Sequence, residues 1–142
     1  MLNQPRDGWA WVELGNFKGI TSYIDDVPFI WLRSCLQALK DDTPLALHVN
    51  GEVAHSYLVI TSSGSYAILA GGEGEEFMAM KGAYLPDVAR ELVGDIRAHF
   101  EDWVEWYADE DEEILARRWV GLEALLKAVE AELEEWNFAE EE

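Results

Sequence analysis

The chain changes its hydrophobic rhythm near residue 85. Before that point most apolar residues fall in short alternating runs; after it they recur at intervals of three and four. Trp9 to Leu14 and Ile20 to Ile24 are β-prone, and Gly15-Asn16 and Lys18-Gly19 punctuate them, which predicts a hairpin over Gly8 to Asp25. Asp26 stands where an N-cap would and Pro28 falls in the first turn. Phe29, Leu32, Leu36 and Leu39 then keep helical spacing up to Lys40, and Asp41-Asp42-Thr43-Pro44 ends this short amphipathic helix.

Leu45 to Val49 and Glu52 to Ile60 flank Asn50-Gly51, the preferred pair for a two-residue type I′ hairpin turn. Ser62 to Ser65 makes another turn before the strand Ser65 to Ala70. Gly71 to Glu76 reads as a loop, and Phe77 to Met80 as a further strand. From Pro86, Val93, Ile96, Phe100, Trp103 and Tyr107 mark one long helix. After a break at Ala108 to Asp111, Leu115, Trp119, Leu122, Leu126, Val129, Leu133 and Trp136 form a stripe of about three heptads. Its expected partners are the first long helix and the sheet, with a dimer seam as second choice.

Strands first and long helices last predict an α+β fold. The expectation is an antiparallel sheet of about five to six strands, with one short helix and a C-terminal pair of long helices packed on it. At 142 residues this is one domain, 1–142: 1–84 mainly sheet, 85–138 a helical hairpin, 139–142 an acidic tail. An apolar fraction of 49% with seven Trp supplies a core. The lone Cys35 makes no internal disulfide and suits a reducing compartment. Met1 to Asp7 has no apolar signal region, and no run approaches the roughly 18 apolar residues of a membrane span. The expected setting is the bacterial cytoplasm.

Charge alters this picture more than composition does. The net charge is −19, and residues 101–142 hold 16 Asp and Glu against Arg117, Arg118 and Lys127, a local net of −13. Such a field disfavours nucleic acid and anionic membranes and favours a basic protein surface. A solvated face is the ordinary explanation of a Glu-rich helix. Glu130, Glu132, Glu134 and Glu135, however, are read as lying near the end of the last helix, where carboxylates oppose the dipole, and Lys127 alone is near enough to offset them. Asp109, Glu110, Asp111, Glu112 and Glu113 form a compact anionic knob between the helices. Glu73, Glu75 and Glu76, in a glycine-rich loop, form a second anionic spot. Trp106 falls off the main apolar stripe and is the candidate exposed anchor. These nine residues are the candidate partner-binding set.

Motifs for chemistry are weak. His48, Val53, His55 and Tyr57 share one face of the predicted hairpin, with the histidines diagonal at roughly 7–8 Å between backbones. No third ligand stands at a motif spacing, so no metal and no cofactor is assigned. Cys35 lies among apolar helix positions and reads as a buried inert thiol. Gly71-Gly72-Glu73-Gly74 lacks the Lys-Ser/Thr of a phosphate loop, and nothing matches G-x-S-x-G.

Compact size, many aromatics, strong acidity and the absence of a catalytic motif make the chain resemble the immunity proteins of bacterial contact-dependent and polymorphic toxin systems. The resemblance is one of general character over the whole chain. It implies a non-catalytic cytoplasmic protein with a basic partner, a cognate toxin neutralised at or beside its active site, and it transfers no residue role. Three alternatives stay open: a DNA-mimic inhibitor of a nucleic-acid enzyme, a small enzyme using carboxylates or the His48/His55 face, and a subunit that dimerises through the last helix. The expected state is monomer or homodimer.

Overall fold

A computed structural model of the chain describes residues 1–70, 75–106 and 111–141, without the side chains of residue 75 and of 137–141. The fold is α+β. Strands β1 (Trp9–Leu14) and β2 (Phe17–Ser22) form an antiparallel hairpin, and β3 (Leu45–Asn50), β4 (His55–Ile60), β5 (Ser65–Ala70) and β6 (Glu75–Met80) form a four-stranded antiparallel meander. The strands thus divide into sheets of two and four instead of one sheet. The hairpin bridges the larger sheet. Asn16 donates its side-chain N–H to the Ala79 carbonyl at 3.2 Å and accepts from the Lys81 N–H at 3.3 Å, while Gly19 approaches Val49. Gly15, with φ +57°, makes the turn, and a Cβ there would stand 2.6 Å from the Lys81 oxygen.

The β3–β4 connection differs from the predicted turn. Asn50 pairs with His55, so four residues connect the strands, and His48 faces Tyr57 instead of Val53. Asn50 uses its side-chain oxygen to accept the Glu52 N–H at 2.9 Å, and Glu52, with φ 71°, takes the left-handed position. A type I′ turn would need positive φ at both Asn50 and Gly51. Gly51 serves close approach instead: a Cβ there would lie 2.9 Å from the Ala54 oxygen. The partner of each β3 residue moves by an even number of positions, so His48, His55 and Tyr57 keep their predicted common face, while Val53, predicted to share it, falls in the connection. Leu45, Leu47, Val49, Leu58 and Ile60 are buried together.

Helix α1 (Val27–Asp41) packs against β3 and, with α2 (Leu85–Ala98), against α4 (Glu112–Glu141). The predicted first long helix is broken: His99 leaves helical geometry at φ −132°, and a short α3 (Phe100–Val104) follows. Leu122, Leu126, Val129 and Leu133 are buried, and α4 lies chiefly on α1 and α2, not on the sheet. That burial removes the central stripe as a dimer seam. Trp119, predicted to continue the stripe, faces solvent.

Helix α4 runs to Glu141, so the backbone of 139–141 continues the helix. Glu130 to Glu135 therefore lie before its last turn, where the dipole effect has faded. Glu130 also has a partner. Arg97 of α2 reaches it from Nη2 to Oε1 at 2.5 Å and reaches Glu123 from Nη1 to Oε2 at 3.1 Å. The predicted electrostatic conflict is thus relieved by a cation 33 residues away. Among the described residues no helix is long and apolar enough to cross a membrane.

Candidate functional site

The corner where α3 meets the start of α4 carries most of the described acidic candidates. Asp111 caps α4: its Oδ1 accepts the Glu113 N–H at 2.9 Å and the Ile114 N–H at 3.2 Å. Glu112 and Glu113 follow in the first turn, where the helix dipole favours carboxylates. Arg118, one turn further on, turns inward. Its Nε donates to the Val104 carbonyl at 2.7 Å, its Nη atoms clamp the Asp26 carboxylate, and its guanidinium lies 4.8 Å from the Phe29 ring centre. Asp26 is at the N-cap position of α1, as predicted, yet its carboxylate serves Arg118 and makes no capping bond.

This bracing leaves a cleft of about 290 Å³ between α3 and α4, with Val104, Leu115, Ala116 and Trp119 as apolar walls and Glu101, Glu105 and Glu112 around them. Trp119 is 48% exposed and meets Phe100 edge-on, with centroids 4.7 Å apart. No cation among the described residues pairs with the three carboxylates. The cleft therefore offers a large apolar side chain ringed by unneutralised negative charge.

Trp106 is not the anchor. It is 3% exposed, tilts against Trp103 at 5.0 Å, and donates its indole N–H to the Asp25 carbonyl at 2.8 Å. The periodicity predicts the two tryptophans the wrong way round: packing on Trp103 and the bond to Asp25 bury Trp106, and Trp119 lies at the surface. Of the other candidates, Asp111, Glu112 and Glu113 are exposed at this corner, and Glu76 is exposed on β6, in the four-stranded sheet. Glu73, Asp109 and Glu110, and the side chain of Glu75, lie outside the described residues. The two predicted anionic spots are thus on different elements.

No protein-family model, curated protein or solved structure matches this chain.

Two further clusters stand elsewhere, one on β1 that spacing did not show and the His48/His55 pair that it did. Trp9 and Trp11 stand on the outer face of β1 beside a cleft of about 450 Å³ that includes Arg6 and Ile20, and Lys18 lies 5.0 Å from the Trp11 ring centre. Its nearby charges are largely positive, so it complements a basic surface less well than the α3–α4 cleft does. His48 and His55 are in direct contact, Nε2 to Nδ1 at 2.9 Å, with His48 Nδ1 3.6 Å from Asp25 Oδ2. Their ring centres are 5.1 Å apart and the planes differ by 22°. That separation is about the nitrogen–nitrogen distance plus two ring radii, so the rings meet edge to edge along a hydrogen bond. Chelation would require both lone pairs to converge on a third point. Among the described residues no group of three or more His, Cys, Asp or Glu is arranged to hold a metal. Cys35 is buried in α1, and burial pushes its thiol up to about 12, far from a nucleophile at neutral pH.

Proposed function

We propose that the chain is a non-catalytic acidic binding protein that neutralises a basic protein partner, in the manner of an immunity protein directed at a cognate bacterial toxin, and that the partner docks at the α3–α4 cleft. The observation that carries the reading is Trp119, an exposed tryptophan among Glu101, Glu105 and Glu112. Interface anchors are typically aromatic and sit inside a polar rim. The carboxylate rim supplies long-range attraction for a cationic face, raising association rates toward about 10⁸–10⁹ M⁻¹s⁻¹ at low salt. The apolar walls supply the short-range contact that slows release. A toxin acting on nucleic acid has such a cationic face, because its cleft must hold phosphates.

The test is purification of the chain with its partner from the native host at low salt, followed by titration of the isolated partner. Trp119→Ala and the charge reversals Glu105→Lys and Glu112→Lys should each weaken binding at least about tenfold, or about 1.4 kcal/mol. The charge reversals should also lower the on-rate and its salt dependence. Glu134→Lys, on the exposed far part of α4, should change affinity by less than about twofold. Equal losses from Glu134→Lys and Glu112→Lys would mean that charge alone, not this cleft, directs binding. A partner that is acidic, or whose affinity ignores salt, would overturn the reading.

A further inference from the structure

The four-stranded sheet turns alternate residues toward the helices and away from them. Register sets the outward residues in rows across the strands: His48, Tyr57, Ile68 and Phe77 form one row, with Val59 and Tyr66 in the next. Nothing among the described residues covers this side. Phe77 is 70% exposed and Tyr57 42%. The rings are already assembled, with His48 stacked on Tyr57 at 4.7 Å and Tyr66 on Phe77 at 4.9 Å. The solvated face of an antiparallel sheet is ordinarily polar. This one has the aromatic composition of an interface core.

Charge decides what covers it. A basic partner is drawn to carboxylates, and these two rows hold none; the third outward row, Asn50, His55 and Ala70, places one acidic residue, Glu75, at the β6 edge. Asp25 reaches only the β3 margin, held beside His48, and Glu52 sits in the β3–β4 turn. Two copies of a chain carrying −19 repel each other over most of their surfaces and approach most easily where carboxylates are fewest. The buried stripe of α4 offers no competing seam. We propose that this sheet face is a homodimer interface, two copies packing face to face about a twofold axis through the row of Tyr57, Ile68 and Phe77.

Four strands of six residues give a footprint on the order of 300–400 Å². That is below the roughly 800 Å² per partner of a standard interface. The dimer is accordingly weak, and it gains from salt that screens the repulsion between copies. Salt acts oppositely on a complex with a basic protein, so the two contacts are distinguishable in one chain.

Sedimentation equilibrium of the full chain, from micromolar to millimolar concentration at low and high salt, tests the proposal. The mass should approach double at the top of the range, at lower concentration when salt is high. Phe77→Glu and Tyr57→Glu should each weaken association at least about tenfold (about 1.4 kcal/mol) with unchanged far-UV circular dichroism, and Trp119→Ala should leave it unaltered. Concentration-dependent amide shifts in the wild type should map to β4, β5 and β6, a readout that needs no variant. A monomer at every concentration and salt overturns the proposal. So does a dimer whose shifts fall elsewhere, or one that survives both substitutions with the fold intact.

Discussion

Arg118 and Asp26, 92 residues apart in sequence, meet as a two-point ion pair, Nη1 to Oδ2 at 2.9 Å and Nη2 to Oδ1 at 3.1 Å. The same guanidinium donates to the carbonyls of Val104 and Trp103, so one side chain fastens the start of α4 to the end of α3 and to the loop before α1. The candidate cleft has its shape because this brace holds its two walls.

Removing the arginine should therefore cost more than removing its partner. Arg118→Met leaves the Asp26 carboxylate and the Val104 carbonyl without this donor and takes one of several donors from the Trp103 carbonyl, and a loss of about 2–4 kcal/mol is expected. Asp26→Asn retains a hydrogen-bonding oxygen and should lose only about 1–2 kcal/mol. Urea unfolding of the two variants measures the difference. Equal losses would mean that the bonds to Val104 and Trp103 contribute nothing.

The tryptophans at the same corner should separate stability from binding. Trp106→Phe removes the indole donor to the Asp25 carbonyl, which keeps the Val27 N–H, and opens space beside Trp103, so a loss of about 1–2 kcal/mol is expected. Trp119→Phe, at an exposed position, should stay within about 0.5 kcal/mol of the parent. Thermal or urea unfolding checks both, and a Trp106→Phe variant as stable as Trp119→Phe would contradict the burial pattern.

Much of the fold was legible in the periods of the sequence. The breaks at Gly15-Asn16 and Asp41 to Pro44 and the stripe Leu122, Leu126, Val129 and Leu133 follow from local patterns, and the structure has them. What was not legible depends on contacts distant in sequence. Asn50-Gly51 fits two turn lengths, and the choice rests on the approach of Ile20 and Ala54 to Gly51. Trp119 fits the apolar stripe and Trp106 falls off it, yet packing against Trp103 and the bond to Asp25 bury Trp106, while Trp119 stays at the surface. Glu130 reads as unpaired because its cation, Arg97, belongs to another helix. The acidic cleft inherits all three difficulties: its carboxylates were visible as composition, but its apolar walls come from two helices whose mutual angle no local pattern encodes.

The Arg97 bridge has a pH signature. The hydrogen bond from Arg97 holds the Glu123 carboxyl below its ordinary value of 4.5, outweighing the opposing effect of desolvation. A carboxyl lowered on folding contributes stability that is complete above its unfolded value and is lost as pH falls through its folded one. Melting temperature should thus decline below about pH 4.5, and Arg97→Met should reduce the part of that decline due to Glu123 while lowering stability at neutral pH. Both carboxylates are well solvated, so the effect is modest and shrinks with added salt. Melting curves from about pH 3 to pH 6 at two ionic strengths test it. An unchanged acid limb in Arg97→Met would remove the bridge as its cause.

Two glycines should respond to alanine in opposite directions. Gly94 lies in α2 with nothing within 4 Å of the position a Cβ would take, so Gly94→Ala should stabilise the chain by about 0.5–1 kcal/mol through helix propensity and the smaller entropy of the unfolded state. Gly15 has φ +57°, and its Cβ would fall 2.6 Å from the Lys81 backbone oxygen. The left-handed conformation alone costs alanine about 1–2 kcal/mol, and displacement of the end of β6 adds to it. Gly15→Asn separates the two causes, since asparagine tolerates left-handed geometry but carries the same Cβ. If the clash dominates, Gly15→Asn should lose nearly as much stability as Gly15→Ala. If it recovers most of the loss in urea unfolding, backbone conformation alone explains the glycine, and the hairpin is free to shift against β6.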